Sequence, residues 1–310
     1  ARASRRIAAS ASPLVAIDGY GTWLSNFPHY CTEQLVSVAM PALVQARHPE
    51  FRASHASPEQ LARLVDALRT RQNAEGGFGY WRAELDAAPF VSVYTSLALV
   101  EARERGLRVP DDMLGSANRY LRELARDASR TALHEQRARA LAVYLLARQG
   151  QQVGDLLATL QTQLERDHPQ AWRDDSAGAF VAAAFALLRQ DRAAAPLAQR
   201  QRELAGNALP DRWDFVHFSD PLVDHAWRIY LLHKHFPDQA ARLPAQAIER
   251  LIEPIRQARF NTLSLGVSVL ALEAIGSLDA PLPTLQAAAA QGEPRTIGEA
   301  IGRLRRAGFE

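Results

Sequence analysis

The single cysteine of the chain, Cys31, lies three residues before Gln34. An apolar helical pattern follows directly, so we expect Cys31 to open a helix. Side chains three residues apart on a helix are neighbours, with Cβ atoms about 5 to 6 Å apart, which lets the cysteine sulfur reach the amide carbon of Gln34. Displacement of ammonia by the thiolate would form an internal thioester. A helix N-terminus favours this chemistry because its dipole lowers the pKa of a cysteine there.

A second interpretation of the same residues is structural. Cysteine and glutamine at this spacing form a weak pattern when taken alone, because a lone cysteine is more often a small buried apolar residue than a reactive group. That alternative predicts a free thiol that takes up no amine. Since Cys31 is the only cysteine, the sequence excludes an internal disulfide and a multi-cysteine metal site.

The elements that would position this pair are helices. The sequence is 47% hydrophobic but only 7% aromatic, and this composition favours helix over strand. After a first interval that carries an insertion, apolar runs that end at charges and breakers recur about every 40 to 45 residues, which is the length of one helix hairpin. No segment alternates for long enough to predict a sheet. The runs end near residues 47, 102, 147, 189, 235 and 274, and partner helices are expected over 58–71, 110–126, 153–166, 193–205 and 240–253.

A glycine pair indicates how these hairpins are arranged. Residues 72–81, with Gly76, Gly77 and Phe78 at their centre, resemble the Gln–Gly-Gly-aromatic turns of α/α toroids, which include terpene cyclases, prenyltransferase β subunits and complement-type thioester domains. Paired glycines allow positive φ angles, and the aromatic ring fills the space between helix ends. We therefore predict an all-α fold, an α/α toroid of about six helical hairpins, in place of an open solenoid.

The residues around the cysteine carry a more specific resemblance. Residues 20–37 contain three parts in order. A lead-in with an aromatic residue and a proline, at 24–28, is followed by a Cys-x-Glu-Gln segment and then by a helix that contains serine. This order resembles the signature of the bacterial alpha-2-macroglobulin family, as does the Ser-Pro-Leu segment at 12–14. The chain therefore resembles the thioester domain of that family.

The resemblance implies a single-use covalent trap for proteases and not a turnover enzyme. In that family the thioester stays protected until a protease cleaves a bait region elsewhere in the protein. A nucleophile of the attacker, usually a lysine amine, then takes the acyl group. By the match, Cys31 donates the sulfur, Gln34 donates the acyl group, and Glu33 is a motif position that can stabilise the first helical turn. The implied partners are target proteases and neighbouring domains of the parent protein.

Three further residues are candidates for supporting roles. The family commonly has glycine where this chain has Tyr30, and many bacterial members have tyrosine in place of Phe27. Phe27 can cover the bond with its ring but cannot donate a hydrogen bond, and Tyr30 could take over part of the shielding. Complement relatives use a histidine from a later helix to assist acyl transfer, and His134 lies at a comparable distance. The alternative for His134 is a solvated histidine at a helix start.

Two other functions stay open at this point. A toroid enzyme of the terpene cyclase type would need an acidic cluster that residues 173–175 do not supply. An enzyme of the prenyltransferase type would need its zinc-binding cysteine late in the fold, whereas Cys31 lies in the first helix. The other candidate is a helical protein-binding scaffold in which Cys31 is inert.

Aromatic and histidine residues cluster in the last third of the sequence. Segment 213–218 is followed by His225, Trp227, His233 and His235. Two histidines in a His-x-His segment of a helix point in different directions, and no carboxylate completes a ligand set. We therefore predict a packed aromatic loop at this place and expect neither a metal nor another cofactor.

Charge and hydropathy limit the remaining partners. The 36 basic and 34 acidic side chains give a formal charge of +2 without a long basic run, so we predict no nucleic-acid binding. No apolar stretch reaches the roughly 18 to 20 residues that span a bilayer, so we expect no membrane contact by this domain. The family resemblance implies a periplasmic parent that can be anchored to the inner membrane.

The same patterns divide the chain into three parts. Residues 1–18 are predicted to be a lead-in from a preceding domain, and residues 19–278 the thioester toroid. Residues 279–310 are predicted to be a C-terminal tail, in which 297–306 could form a short helix.

Overall fold

The computed structural model describes residues 20–21, 24, 31–48, 58–210 and 215–276. From Thr32 to Ile275 these ranges contain thirteen α-helices, which belong to one compact unit that covers Ile17–Ile275. The predicted domain boundaries and the predicted tail helix lie outside the described residues. The helices are α1 (Thr32–Gln45), α2 (Pro58–Arg69), α3 (Pro89–Glu104), α4 (Asp111–Arg126), α5 (Leu133–Arg148), α6 (Gly154–Asp167), α7 (Ala171–Asp174), α8 (Ser176–Leu187), α9 (Asp191–Gly206), α10 (Pro221–His235), α11 (Pro237–Ala240), α12 (Ala245–Arg256) and α13 (Thr262–Ile275).

The predicted hairpin pattern is confirmed. Helices α1, α3, α5, α8, α10 and α13 end close to the ends of the apolar runs, and α2, α4, α6, α9 and α12 are their partner helices. Pairing between extended segments in the described ranges is limited to two isolated bridges, Gln72–Phe78 and Val216–Ser219. None of the helices in these ranges combines the length and the apolar content needed to cross a bilayer.

The six apolar helices form the inner layer of a closed ring. Helices α1, α3, α5, α8, α10 and α13 pack side by side in chain order, and α13 packs against α1 as well as against α10. This last contact closes the series, so the toroid prediction is confirmed and an open superhelix is excluded. The partner helices pack outside, each against its hairpin neighbours.

The inner and outer helices differ in how deeply their side chains are buried. Phe180 and Phe185 on α8 are 1% and 5% exposed, and Leu270 on α13 is 0% exposed, which is typical of inner helices that are apolar on nearly all faces. The outer helix α9 is amphipathic, yet one of its polar side chains is buried. Gln201 is buried there because its side-chain amide donates a hydrogen bond to the Arg173 carbonyl oxygen at 2.7 Å.

The Gly-Gly-Phe turn connects α2 to α3 and requires its glycines. Gly76 has a φ of +93°, and a Cβ there would lie 2.0 Å from the Ser116 carbonyl oxygen. Phe78 is fully buried, and its backbone N–H donates to the Ser92 hydroxyl at 2.8 Å. The turn therefore fixes the path of the chain that leads into the second inner helix.

The inner helices all run in the same direction because each returns through an outer partner. We call the end of the ring formed by their N-terminal residues the cysteine end, since α1 begins there after Cys31, and we call the opposite end the distal end. Polar side chains join neighbouring inner helices at the cysteine end. These contacts are Arg137 to Asp175 at 2.6 and 2.8 Å, Ser176 to Asp224 at 2.7 Å, and Asn261 to Asp220 at 2.6 Å.

Buried ion pairs hold the distal end. The Glu101 carboxylate is fully buried, accepts a hydrogen bond from the Tyr230 hydroxyl at 2.5 Å, and pairs with Arg148 at 2.6 Å and with Arg105. Burial would raise the pKa of Glu101, but Arg148 and Arg105 lower it to about 2. Loss of either arginine would leave a buried charge with one partner fewer, which is strongly destabilising.

A buried histidine on α10 makes the stability of the ring sensitive to acid. His225 is fully buried, and its Nε2–H donates to the Ala247 carbonyl oxygen at 2.7 Å. Burial lowers the pKa of His225 from 6.5 to about 4. The unfolded chain therefore binds a proton that the folded chain excludes between these pH values, so this stability is present above pH 6.5 and is lost as the pH falls towards 4.

We expect His225→Gln, which keeps a donor towards Ala247, to flatten this dependence. The wild-type free energy of unfolding should fall by about 2 kcal/mol more than that of the variant between about pH 7 and pH 5. Urea unfolding at the two pH values measures the difference. Equal losses in both proteins would show that His225 is not the acid-sensitive group.

Candidate functional site

Cys31 and Gln34 face each other at the start of α1. Cys31 is the N-cap residue, with φ −63° and ψ 166°, and it is half-buried. Its backbone N–H donates to the Gln34 side-chain oxygen at 3.0 Å, while the Gln34 backbone N–H faces the cysteine side chain. This is the reciprocal arrangement of a capping box. It turns the amide group of Gln34 back towards Cys31, as the spacing predicted.

The expected lowering of the thiol pKa is not what the structure gives. Burial raises the pKa of Cys31, and the Glu33 carboxylate adds to the rise. The backbone N–H groups of Gln34 and Glu33 and the Arg71 guanidinium act in the opposite direction without reversing it. Desolvation of a thiolate outweighs the helix-terminal dipole here.

The Gly-Gly-Phe turn is hydrogen-bonded to the first residue of α1. Thr32 is fully buried, and its backbone N–H donates to the Tyr80 carbonyl oxygen at 2.8 Å. The Thr32 hydroxyl lies 2.6 Å from the Gly79 carbonyl oxygen and 2.9 Å from that of Tyr80. Arg71 adds two hydrogen bonds of 3.1 Å, to the Thr32 hydroxyl and to the Tyr80 carbonyl oxygen. The turn therefore positions the residue next to the cysteine.

The Glu33 side chain points into the ring and away from solvent. It is 7% exposed, and its carboxylate accepts hydrogen bonds from Ser37 at 2.7 Å and from Thr262 at 3.0 and 3.1 Å. Thr262 is the first residue of α13, so these bonds join the last inner helix to the first. Burial raises the pKa of Glu33, and the two hydroxyl donors offset part of that rise.

A second polar layer lies behind Glu33. The hydroxyls of Ser37 and Tyr94 are 3.1 Å apart, and Tyr94 is fully buried on α3. A Cβ at Gly266 would lie 2.5 Å from the Tyr94 hydroxyl, so α13 must have glycine at this position to approach α3. Burial raises the pKa of Tyr94. Glu33 is thus linked to two other inner helices through three hydroxyl groups.

A relative of known family matches almost the whole chain. The alpha-2-macroglobulin homolog of Yersinia pestis is 36% identical over 298 residues, which are 95% of this chain and 14% of that protein. The chain belongs to the alpha-2-macroglobulin family. It spans about a seventh of the length of this relative. No protein-family model matches the sequence.

Two solved structures of bacterial alpha-2-macroglobulins contain a fold like that of this chain. One is native alpha-2-macroglobulin from Escherichia coli, from domain MG7 to the C-terminus, with a TM-score of 0.68 and 20% identity over 87% of this chain and 43% of that chain. The other is Salmonella alpha-2-macroglobulin reacted with methylamine, with a TM-score of 0.68 and 20% identity over 86% of this chain and 18% of that chain. At this identity the likeness concerns the fold alone.

The remaining residues that the alpha-2-macroglobulin resemblance suggested are not all brought to Cys31. Phe27 and Tyr30 lie outside the described residues. His134 lies in the first turn of α5, and its ring stacks on that of His217 with the centroids 3.8 Å apart. Burial, with the neighbouring His217, lowers the pKa of His134. A role for His134 in acyl transfer stays a prediction.

An aromatic loop that contains His217 packs against the turn that follows α2. Its Phe218 ring stacks on Phe90 with centroids 4.2 Å apart and lies 6.4 Å from the Tyr80 ring. His217 and Phe218 both have positive φ angles, 49° and 57°, so the loop reverses tightly at these two residues. Packed aromatic residues are therefore found here, as predicted, although Phe215 is 47% exposed.

In the part of the chain that the structure describes, no group of three or more His, Cys, Asp or Glu residues is arranged to hold a metal ion.

Several residues of this alpha-2-macroglobulin site were missed from the sequence. Tyr80 belongs to residues 72–81 and Arg71 directly precedes them, and the sequence of this segment predicts only a turn between helices. Thr262 is 229 residues from Glu33. No local pattern links the two residues, so only the closed ring brings them together.

We expect the Thr262 hydroxyl to stabilise the ring through Glu33. Thr262→Val keeps the shape but leaves a buried carboxylate with one donor fewer, and it should lower the free energy of unfolding by about 1 to 3 kcal/mol. Thr262→Ser keeps the hydroxyl and should lose clearly less. Urea unfolding of both variants measures this. If serine cost as much as valine, the methyl group and not the hydrogen bond would be the important contact.

Proposed function

We propose that this chain is the thioester domain of a bacterial alpha-2-macroglobulin-like protease inhibitor. The observation that carries the proposal is the Cys31–Gln34 capping box, in which the Gln34 side-chain oxygen lies 3.0 Å from the Cys31 nitrogen. The amide carbon that would be attacked is thereby held over the residue that supplies the sulfur. Membership of the family and the shared toroid fold support this assignment.

The chemistry uses only the two side chains. The Cys31 sulfur attacks the Gln34 amide carbon, the C–N bond breaks, and ammonia leaves with the thiol proton. The product is a thioester within one helical turn. An amine then attacks the same carbon, the C–S bond breaks, and the thiol is released while the amine becomes an amide of residue 34. In the parent protein the amine would belong to a lysine of the attacking protease after bait cleavage.

The surroundings of the cysteine support a covered site. Large apolar side chains are exposed to solvent close to the turn that is hydrogen-bonded to Thr32. Trp81, next to Tyr80, is 61% exposed, and Leu85 is 94% exposed. Phe215 and Val216 of the aromatic loop are 47% and 53% exposed. A thioester persists only where water is excluded, so we propose that a neighbouring domain of the parent protein covers this apolar surface, and that the parent is a periplasmic protein that can be anchored to the inner membrane.

A scaffold with an inert cysteine is the second candidate. It is favoured by one observation, the raised pKa of Cys31, because a protonated thiol is a poor nucleophile. This candidate explains the capping box as a purely structural helix start.

Intact mass separates the two functions. Freshly prepared protein should be lighter than its sequence by about 17 mass units, the ammonia lost when the thiolate displaces the amide. Methylamine should then add once, at Gln34, and release one thiol. Without a covering domain the bond should also hydrolyse over days, so that Cys31 becomes titratable and residue 34 becomes a glutamate.

Two variants provide the controls. Cys31→Ala and Gln34→Ala should each show neither the mass loss nor the methylamine adduct, since each side chain supplies one atom of the bond. Both should keep the fold, because Cys31 is a small side chain at a helix start and truncation of Gln34 opens no large cavity. Equal labelling of wild type and Cys31→Ala would eliminate the trap. A wild-type mass equal to the sequence, together with no amine uptake, would favour the inert scaffold.

A further inference from the structure

An arginine at the cysteine end lacks an acidic partner in the described part of the chain. Arg71 is half-buried, and its Nη1 donates to the Thr32 hydroxyl and to the Tyr80 carbonyl oxygen, each at 3.1 Å. Both acceptors are neutral. Arg69, two residues earlier, differs, because it is exposed and pairs with the Asp112 carboxylate at 2.8 Å.

Arg71 brings its positive charge to the start of α1. It is hydrogen-bonded to Thr32, the residue that follows Cys31. Burial lowers the pKa of Arg71, and a Cys31 thiolate counteracts this effect. A guanidinium group remains protonated in proteins, so Arg71 is a fixed cation beside the cysteine.

We propose that Arg71 is the electrostatic partner of the Cys31 thiolate that leaves when the acyl group is transferred. This role rests on the proposed thioester function. Arg71 is a positioning residue in this scheme, since its hydrogen bonds are to Thr32 and Tyr80 and its action on the sulfur is through charge.

The step that Arg71 assists is the breaking of the C–S bond. An amine nitrogen attacks the Gln34 carbonyl carbon, and the electron pair of the C–S bond moves to the Cys31 sulfur. The amine loses a proton to water, so the products are an amide and a thiolate. A cation near the sulfur lowers the energy of the transition state in which this negative charge develops.

Burial and the nearby Glu33 carboxylate both disfavour the Cys31 thiolate. The Glu33 carboxylate on the same helix raises the pKa of Cys31, and burial has a larger effect in the same direction. Tyr80 from the turn is neutral, and burial raises the pKa of its hydroxyl, with Cys31 and Glu33 adding to the rise. Of the groups that act on the thiol, Arg71 is the side chain that favours the thiolate.

The test compares Arg71→Gln and Arg71→Met with Arg71→Lys, and it uses Arg69→Gln as the matched control for loss of one positive charge. Each protein is treated with methylamine, and the free Cys31 is then alkylated with iodoacetamide over a pH series. Circular dichroism establishes that each variant is folded. The two neutral variants differ in packing, so that failure of one to fold leaves the other available.

We expect both neutral variants to alkylate about threefold to tenfold more slowly than wild type near neutral pH, with their pH profiles moved to higher pH. Their methylamine reactions should slow by a similar factor. Arg71→Lys and Arg69→Gln should stay close to wild type in both rates. A neutral folded variant with the wild-type profile would overturn the proposal, as would an Arg71→Lys variant as slow as Arg71→Gln.

The outcome is separable from that of the proposed function. If wild type lacks the mass loss, the thioester is absent, yet Cys31 is then free from the start and the same alkylation series still measures the effect of Arg71 on the thiolate. A normal mass loss with no effect of Arg71 rejects this inference alone.

Discussion

The hydrogen bonds from Thr262 to Glu33 close the ring at one of the two residues that lie between the cysteine and the glutamine. They join the start of α13 to the start of α1, at 3.0 and 3.1 Å. A carboxylate buried this deeply is costly unless donors satisfy it. The closure of the whole toroid and the rotation of the first turn of α1 are therefore set by the same contact.

The first turn of α1 is held from two sides by different means. Inside the ring, hydroxyl groups fix Glu33. Outside it, the backbone of the Gly-Gly-Phe turn fixes Thr32 through carbonyl oxygens. Cys31 and Gln34 occupy the positions between these anchors and make contact with each other. At the distal end the inner helices are joined by the buried ion pairs around Glu101, whereas the cysteine end combines one ion pair, Arg137 with Asp175, with hydrogen bonds from uncharged donors.

The sequence was sufficient for the architecture because helix periodicity and breakers are local signals. The hairpins, the closed ring and the pairing of Cys31 with Gln34 followed from spacing and from one resemblance. The prediction of a lowered thiol pKa was wrong because burial of Cys31, which raises that pKa, depends on the tertiary packing at the site and not on the local sequence. Contacts such as Thr262 with Glu33 have no local signature, and Gly266 needs to be a glycine only because α3 presents Tyr94 to it.

The distance of 229 residues between Thr262 and Glu33 has a consequence for biosynthesis. Synthesis proceeds from the N-terminus, so α1 is made first, and its neighbour α13 is made last among the helices described. Until residues 262–275 have left the ribosome, one side of α1 has no helix to cover it. The ring therefore cannot close step by step as the chain emerges, and the packing around its first helix is completed only by its last.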